Sequence, residues 1–242
     1  MSLNFLGLPI VNFEEIYFYK RTINDQTVIN CINSWSFYCY YHNPFYKKAV
    51  QNSSNLADGM SIVFINRFFL KGGPLKRFTG YDVLLKLLDF NSQYGINKVM
   101  FIGSSEKVQK KIGERLKRDY SMLESSLVML PYKESFQEND TVLLKKEIEK
   151  FKPDIIFVGL SAPKQEIFTS QHLIGIKEIK IICNIGAAFE FFAHTEPRAP
   201  KWMRKIGMEG LFRAFFHPVK HLKKDIRSYP FLVKKLIQHK FI

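Results

Sequence analysis

Cysteine is scarce in this sequence, and its pattern excludes a disulfide scaffold. The three cysteines, Cys31, Cys39 and Cys183, are odd in number, lie among apolar neighbours and form no CxxC pair. This usage is typical of reduced thiols in a cytoplasm, because disulfide scaffolds and zinc sites need several cysteines at short, regular spacing. We therefore expect neither a disulfide nor a bound metal.

Long apolar runs are also missing. The most apolar stretch, residues 179–193, is interrupted by Lys180, Asn184 and Glu190. It falls short of the roughly 20 apolar residues that a transmembrane helix needs. Residues 1–10 lack the basic start and the long apolar centre of a signal peptide. We expect the protein to stay in the cytoplasm.

Acidic residues are few relative to basic ones. The chain has 36 Lys and Arg against 22 Asp and Glu, a formal net charge of +14. Most of the excess lies in residues 196–242, where eight Lys and four Arg outnumber three acidic residues, a local net charge of +9. Charge concentrated in this way indicates a polyanionic partner, either nucleic acid or an anionic membrane surface.

The apolar content is high enough for a full core. Of the 242 residues, 46% are apolar and 15% aromatic, which suits one domain with a small addition. The composition turns basic and aromatic after residues 197–200. We therefore predict a core domain at residues 1–195 and a basic membrane-associating appendage at residues 196–242.

The end of the chain has the pattern of a basic amphipathic helix with a break or kink at Pro230. The apolar residues with helical spacing are Val219, Leu222, Ile226, Leu232, Val233, Leu236, Ile237 and Phe241. This stripe favours a membrane interface over nucleic acid, which offers no apolar surface. A helix packed on the protein's own core or on a neighbouring subunit is the alternative. The cations expected at the membrane or at a lipid diphosphate are Lys201, Arg204, Arg213, Lys220, Lys223, Lys224 and Arg227.

From residue 98 onward, short apolar runs alternate with segments of helical period. The runs are residues 98–103, 126–130, 154–160 and 179–185, and the helical segments are residues 106–118, 141–151 and 164–173. The alternation predicts an α/β fold, Rossmann-like, with a mostly parallel sheet flanked by helices. Earlier in the chain we expect a strand at residues 35–41 and helices at residues 44–51 and 81–94.

Two predicted strand ends carry polar groups suited to a ligand. Gly103 and Ser104 precede a helix whose free backbone N–H groups suit a phosphate. Taken alone the signal is weak, and local pattern favours the alternative that Ser104 or Ser105 only caps the helix. Pro163, Lys164 and Gln165 follow the apolar run at residues 154–160, at the kind of strand end where ligands collect in parallel sheets. The alternative there is a proline-started helix with a solvated polar face.

Two further sites combine small residues with charge. Asp58 stands beside Gly59 in an apolar setting, although Asp-Gly is also a common turn. Gly186 begins a run of small residues that permits close backbone approach, and Arg198 opens a basic cluster shortly after it. A loop that caps a helix starting near Pro200 is the alternative there.

Six segments in chain order resemble the WecG/TagA/CpsF family of bacterial glycosyltransferases, and together they cover nearly the whole chain. They are residues 5–10, the residues around His42-Asn43-Pro44, Ala57-Asp58-Gly59, Thr79-Gly80-Tyr81-Asp82, residues 158–160 with 163–166, and residues 198–203.

The resemblance implies an inverting, metal-independent transferase without a cofactor. Its expected partners are a UDP-sugar donor of the N-acetylmannosamine type and an undecaprenyl-diphosphate-linked sugar acceptor, in the synthesis of teichoic acid, capsule or similar polysaccharides at the inner face of the membrane. It implies that Asp58 is the catalytic base. The family's substrate pocket falls on Asn43, Arg77, Thr79, Asp82 and Gln165.

Elementary chemistry agrees with this assignment. Inverting transfer needs one carboxylate to take the proton of the attacking hydroxyl. Without a metal, the departing diphosphate is neutralised by backbone N–H groups and cations, for which Arg77, Lys164 and Arg198 are candidates. The sequence has no Asp-x-Asp pair to hold a divalent cation.

Some residues depart from the family pattern. Ser61, Ser161 and His194 stand where glycine is common in the family, Glu190 where aspartate is common, and Tyr41 where some members have threonine. These changes bear on the choice of sugar. The rival function is a basic nucleotide-fold protein that binds nucleic acid, although we expect no nucleic-acid partner. Homo-oligomerisation stays open.

Overall fold

The computed structural model describes residues 3–14, 26–89, 97–131, 133–216 and 218–240. The strands are β1 (Leu3–Phe5), β2 (Leu8–Ile10), β3 (Thr27–Ile32), β4 (Ser54–Ala57), β5 (Lys98–Gly103), β6 (Glu124–Val128), β7 (Ile155–Gly159) and β8 (Ile181–Asn184). β1 and β2 form an antiparallel hairpin, and the other strands form one sheet in the order β4-β3-β8-β7-β5-β6. The pairs β3–β8, β8–β7, β7–β5 and β5–β6 are parallel.

The helices flank this sheet. They are α1 (Ser34–His42), α2 (Pro44–Gln51), α3 (Met60–Phe68), α4 (Gly80–Asp89), α5 (Glu106–Asp119), α6 (Glu138–Phe151), α7 (Lys164–His172), α8 (Ala188–Phe192), α9 (Lys201–Lys205), α10 (Glu209–Phe216) and α11 (Pro218–Lys240). The predicted α/β class with a mostly parallel sheet is confirmed. None of the described helices is both long and apolar enough to span a membrane.

The chain divides into two compact units. The first unit comprises Met1–Tyr19, Cys31–Thr79 and Pro197–Ile242, and the second comprises Lys20–Asn30 and Gly80–Glu196. Within the second unit the central strands are buried along most of their length, as expected where helices cover both faces of a parallel sheet. Its core contains Met100, Ile102, Leu144, Ile148, Ile156, Val158, Phe168 and Ile182.

Polar groups inside the second unit satisfy one another. The Thr169 hydroxyl donates to Asn184 Oδ1 at 2.7 Å, and Asn184 Nδ2 donates to Asn30 Oδ1 at 2.7 Å. All three side chains are fully or almost fully buried. Because buried amides without partners are costly, this chain of hydrogen bonds favours one arrangement of β3, β8 and α7.

The expected strand at residues 35–41 is wrong, since these residues lie in α1. Aromatic residues are typical of strands, but Asn33 begins a helix here: its Oδ1 accepts the backbone N–H of Ser36 at 3.1 Å. The buried side chains of Phe37 and Tyr40 follow helical spacing. The helix is also covered by α11 in the same unit, where Ser228 contacts Ser34 through their hydroxyl groups at 3.3 Å.

The other early predictions hold in part. The helix expected at residues 44–51 is α2. The helix expected at residues 81–94 is α4, which ends at Asp89, and residues 90–96 lie outside the described part of the chain. β3, β4 and α3 were not predicted. Of the expected break or kink at Pro230, the break is absent, because α11 continues through this residue.

The Asp154 carboxylate, just before β7, joins the starts of the neighbouring strands β5 and β8 through hydrogen bonds. Lys180 Nζ donates to its Oδ1 at 2.6 Å, and the N–H groups of Asn97 and Lys98 donate to its Oδ2 at 2.9 and 3.0 Å. Burial alone would raise the pKa of Asp154, but these hydrogen bonds outweigh it and hold the pKa below its ordinary value. The folded state therefore gains stability from the ionised carboxylate above the unfolded-state pKa and loses it as the pH falls through the lowered pKa.

We predict that Asp154→Asn lowers the free energy of unfolding by roughly 0.5–1.5 kcal/mol near pH 7, because Lys180 and two backbone N–H groups, exposed or partly buried, lose a charged acceptor. Urea unfolding at several pH values should show this loss shrinking as the solution is acidified. The control is Glu149→Gln, at an exposed position on α6. An equal loss at all pH values would contradict the assignment.

Candidate active site

Asp58 lies directly after β4 and is held there by its backbone. The N–H groups of Asp58 and Gly59 both donate to the carbonyl oxygen of Ile32, at 2.8 and 3.1 Å. Gly59 fits closely, since a Cβ at this position would lie 3.2 Å from Asn33 Cα. The half-buried Asp58 side chain therefore starts from a fixed point at a strand's carboxyl end, where ligand groups collect in parallel sheets.

Arg77 binds the backbone of Asp58. Its Nε donates to the Asp58 carbonyl oxygen at 2.6 Å, and its Nη1 donates to the Arg204 carbonyl oxygen at 3.2 Å. Its Nη2 donates to Glu209 Oε2 at 2.5 Å. One guanidinium group thus joins the loop after β4 to the segment containing α9 and α10.

Glu209 is the acidic partner that the sequence did not reveal. Its Oε2 accepts from Arg77, and its Oε1 lies 3.8 Å from Arg198 Nε. Arg198 Nη2 also donates to the Thr79 hydroxyl at 3.2 Å. Three predicted site residues, Arg77, Thr79 and Arg198, therefore belong to one network with Glu209, which we call the Glu209 network.

The predicted site residue Asn43 and the family departure Tyr41, both in the first unit, have local structural contacts. Asn43 caps α2, because its Oδ1 accepts the backbone N–H of Tyr46 at 3.0 Å. Tyr41 donates its hydroxyl proton to the Leu6 carbonyl oxygen, and its ring lies 5.5 Å from that of Phe231 on α11. The substrate role expected for Asn43 stays a prediction.

In the second unit, Gly103 and Ser104 form the turn between β5 and α5. Gly103 has φ +96°, and a Cβ there would lie 2.8 Å from Leu160 Cδ2, so glycine is required. Ser104 donates its hydroxyl proton to Glu190 Oε1 at 3.3 Å, while Ser105 is the residue that caps α5. Ser104 is thus not the cap, which leaves its side chain oriented toward α8.

The loop after β7 places Gln165 against Gly186. Ser161 and Pro163 lead into α7, and the Gln165 side chain is buried. Gln165 Nε2 donates to Glu166 Oε1 at 3.0 Å. A Cβ on Gly186 would lie 3.3 Å from Gln165 Oε1, so the glycine gives the amide its space. Gln165 and Gly186 therefore lie against each other, and Pro163 precedes Gln165 at the start of α7. Their substrate role stays a prediction.

Buried acceptor atoms without a hydrogen bond mark this part of the second unit. Within the described residues, Gln165 Oε1 and Glu190 Oε2 are buried and have no donor. A buried acceptor without a donor is costly, so an ordered water or a donor group of a ligand would stabilise each of these two atoms. Hydroxyl and N–H groups of a polar ligand are partners of the right kind.

Lys164 and Asp82 lie at helix starts of the same unit. Lys164 Nζ contacts the Lys133 carbonyl oxygen and Glu134 Oε1, both at 3.2 Å, so its charge is directed to this segment. Asp82 is half-buried in the first turn of α4. Gly80 lets the start of α4 approach Ile185, the residue after β8, because a Cβ at position 80 would lie 2.9 Å from the Ile185 carbonyl oxygen.

The backbone accounts for two departures from the family pattern. Ser161 has φ +65° and His194 has φ +53°. Both lie in the left-handed region that favours glycine. Their serine and histidine side chains are accommodated at some conformational cost, so the preference for glycine at these positions has a physical basis in the backbone.

The basic appendage has one packed face and one exposed face. Leu232 is buried and Phe231 contacts the rings of Tyr38 and His42 on α1, at 5.5 and 4.6 Å between ring centroids. The predicted apolar stripe therefore divides between two faces. Its exposed members are Leu222, Ile226, Val233 and Ile237, to which Tyr229 adds a fifth at helical spacing.

The predicted membrane cations lie on and before this helix. Lys201, Lys223 and Arg227 are exposed, Lys224 Nζ lies 5.4 Å from the centre of the Trp35 ring, and Arg204 Nε donates to the Ala199 carbonyl oxygen at 3.0 Å. The side chains of Arg213, Val219, Lys220 and Phe241 lie outside the described part of the structure. The membrane role of these cations stays a prediction.

Comparison with known proteins gives consistent matches. A family model described as the glycosyl transferase WecG/TagA/CpsF family matches residues 3–242. A relative from Bacillus spizizenii, named N-acetylglucosaminyldiphosphoundecaprenol N-acetyl-beta-D-mannosaminyltransferase, is 28% identical over 200 residues, which cover 81% of this chain and 73% of the relative. A protein of the same name from Staphylococcus aureus is 27% identical over 210 residues, 86% of this chain and 78% of the relative.

The Glu209 network generates a stability prediction. Glu209→Ala should lower the free energy of unfolding by roughly 1–3 kcal/mol, because the largely buried guanidinium groups of Arg77 and Arg198 lose their acceptor. Urea unfolding measures the change. The matched control is Glu114→Ala, which breaks the exposed pair with Lys111 and should cost less than about 1 kcal/mol. Equal losses in the two variants would contradict a structural role for Glu209.

Proposed function

Because the chain belongs to the WecG/TagA/CpsF family of glycosyltransferases, we propose that it moves a sugar from a UDP-sugar donor onto an undecaprenyl-diphosphate-linked sugar. In this proposal the donor sugar is N-acetylmannosamine or a related hexose, and the transfer inverts the anomeric centre without a metal. The names of the two relatives support the lipid-linked acceptor and the mannosaminyl group. The product would enter teichoic acid, capsule or a similar surface polysaccharide.

The observation that carries the proposal is the position of Asp58. Its backbone is bound by Ile32 and by Arg77, which fixes the start of its side chain at the carboxyl end of β4. In the proposed step the acceptor hydroxyl attacks the anomeric carbon from the face opposite the diphosphate. A new carbon–oxygen bond forms, the bond to the diphosphate breaks, and UDP leaves with the bonding electrons. Asp58 takes the hydroxyl proton as general base.

Cations near Asp58 suit the charge that develops on the leaving group. The side chains of Arg77, Arg198 and Arg204 bring three positive charges into the Glu209 network and its neighbourhood, against the single negative charge of Glu209. With Asp58 included, the group keeps a net positive charge. Preorganised cations of this kind stabilise a departing diphosphate without a metal ion.

The second unit supplies groups that suit the donor's uncharged parts. Gln165 Oε1 and Glu190 Oε2 can only accept hydrogen bonds. Because the diphosphate oxygens are acceptors too, these two atoms do not suit the diphosphate. They are therefore matched to the hydroxyl groups of the sugar and ribose or to the N–H of uracil. We propose that Ser104, Pro163, Gln165 and Gly186 bind this part of the donor, with Gly103 and Asp82 shaping the same site.

The appendage is proposed to hold the enzyme on its substrate's membrane. The exposed stripe on α11 supports an interfacial position, with the surrounding cations facing anionic lipid. The enzyme would then be a peripheral protein of the cytoplasmic face. The exposed apolar residues also argue against nucleic acid as the partner, because phosphate backbones give them nothing to contact.

The Asp58 proposal predicts the behaviour of Asp58→Asn. Turnover should fall roughly 10²-fold or more, the scale for losing a general base. Folding should be unchanged, since asparagine has nearly the same size as aspartate and Arg77 still binds the carbonyl oxygen at position 58. The assay incubates the protein with a panel of UDP-sugars and a short-chain prenyl-diphosphate sugar, with a chelator present, and weighs the product.

Two outcomes of this assay would count against the proposal. Turnover of Asp58→Asn close to the wild-type rate removes Asp58 from the mechanism. Loss of wild-type turnover in the chelator, restored by a divalent cation, overturns the metal-independent step. Asp89→Asn, a substitution in the last turn of α4, is the control for loss of a carboxylate elsewhere.

The appendage generates a separate prediction. The triple variant Leu222→Ser, Ile226→Ser and Val233→Ser should bind vesicles of phosphatidylglycerol and phosphatidylcholine about tenfold more weakly, because the apolar contact is lost. Its unfolding curve should match the wild type, as all three residues are exposed. Binding of the wild type should also weaken as salt rises. Leu232→Ser is the contrasting variant: this residue is buried, so its main loss should be in stability.

A further inference from the structure

Helix α3 buries one polar residue beside Ile62 and Ile65 and leaves aromatic residues exposed. Its buried residues include Asn66, a polar amide, whereas its exposed surface carries Phe64 and Phe68 with Arg67 between them. A surface helix ordinarily turns its apolar residues inward and its polar residues outward. Phe69, directly after the helix, is exposed as well.

The buried amide has a structural explanation. Asn66 Nδ2 donates to the Gly73 carbonyl oxygen at 3.0 Å, and the Gly72 N–H donates to the Asn66 carbonyl oxygen at 3.1 Å. A Cβ on Gly72 would overlap Asn66 Oδ1, so the chain after α3 is folded tightly against this side chain. Asn66 thus fixes the end of the helix and its following turn.

The exposed aromatic residues have no such explanation. Phe64, Phe68 and Phe69 are 52%, 60% and 39% exposed. The centroid of the Phe64 ring lies 4.7 Å from that of Phe68 and 6.1 Å from that of Phe69. We call these three residues, with Arg67 and Lys71, the α3 face. A contiguous aromatic cluster of this kind on a protein surface is typical of an interaction site.

The charge of the α3 face identifies the chemistry of its partner. Residues 59–81 contain four basic residues and no acidic one. Lys76 and Arg77 are engaged by Glu14 and Glu209. The Arg67 guanidinium lies 5.5 Å from the centre of the Phe68 ring. Aromatic rings next to cations match the interface of an anionic bilayer, where rings enter the headgroup region and cations contact lipid phosphates.

We propose that the α3 face is a membrane contact of its own, additional to α11, and that its partner is an anionic lipid surface. A second copy of the chain that packed the same face against this one would place Arg67 and Lys71 against the same cations. Its location also suits the proposed function, on which this reasoning partly rests. α3 begins two residues after Asp58 and spans about 14 Å, so membrane contact here keeps the base within one short helix of a lipid-linked acceptor.

The direct test is a fluorescent label placed on the α3 face of the full chain. The native cysteines Cys31, Cys39 and Cys183 are buried, so a cysteine introduced as Phe68→Cys is labelled selectively with an environment-sensitive dye. With vesicles of phosphatidylglycerol and phosphatidylcholine, we expect a blue shift and quenching by brominated lipid. The matched control is Leu143→Cys, on the exposed face of α6, which should show neither change.

Three results would overturn the proposal. The first is an unchanged dye signal at position 68 while the protein sediments with the vesicles. The second is a blue shift without vesicles that grows with protein concentration, which identifies a second copy as the partner. The third is a shift with a single-stranded oligonucleotide and none with vesicles, which identifies nucleic acid.

A pair of rate measurements connects the α3 face to catalysis. The double variant Phe64→Ser and Phe68→Ser should transfer sugar to an acceptor embedded in vesicles at least about fivefold more slowly, because the enzyme is less often at the surface. Its rate with a water-soluble short-chain acceptor should stay within about twofold, since an acceptor in solution needs no membrane contact. Parallel losses with both acceptors would contradict the membrane role. If the wild type transfers sugar to neither acceptor, the proposed function fails, whereas the dye measurement still decides the membrane contact.

Discussion

The site in the first unit depends on the pairing of the Glu209 carboxylate with two arginines. The carboxylate accepts from Arg77, which in turn binds the carbonyl oxygen of Asp58, and it lies beside Arg198, which donates to Thr79. Both guanidinium groups are largely buried. Buried cations need a counterion, and one glutamate from α10 serves both. The basic end of the chain is thus part of the site's construction as well as a source of positive charge.

This arrangement explains why the appendage has two different faces. Its inward side carries Leu232 and Ser228 against α1 and Glu209 against the arginines. Its outward side keeps an apolar stripe exposed. Helix α3, in the same unit, also exposes aromatic residues and turns its one amide inward. The first unit therefore combines the proposed catalytic carboxylate with the exposed apolar surfaces, while the second unit has the buried acceptor atoms that suit a nucleotide sugar.

Much of the sheet could be predicted from the sequence, because its central strands are buried and appear as uninterrupted apolar runs; β5 occupies the predicted residues. The prediction of a strand at residues 35–41 was wrong because aromatic side chains are typical of strands. Asn33 was the local signal for a helix start. The strand-end groups Gly103, Gln165 and Gly186 could be predicted because parallel strands bring such residues to one edge. Glu209 could not: it pairs with Arg77 across 132 residues, and no local pattern distinguishes it from the other acids of the appendage.

The central claim is that Asp58 is the base of an inverting sugar transfer, and the most direct measurement is a crystal structure of the protein bound to its UDP-sugar and a short-chain acceptor. The claim predicts that the acceptor hydroxyl lies about 3 Å from an Asp58 carboxylate oxygen and faces the anomeric carbon opposite the diphosphate. An acceptor hydroxyl bound to another side chain, with Asp58 turned away from the sugar, would contradict it.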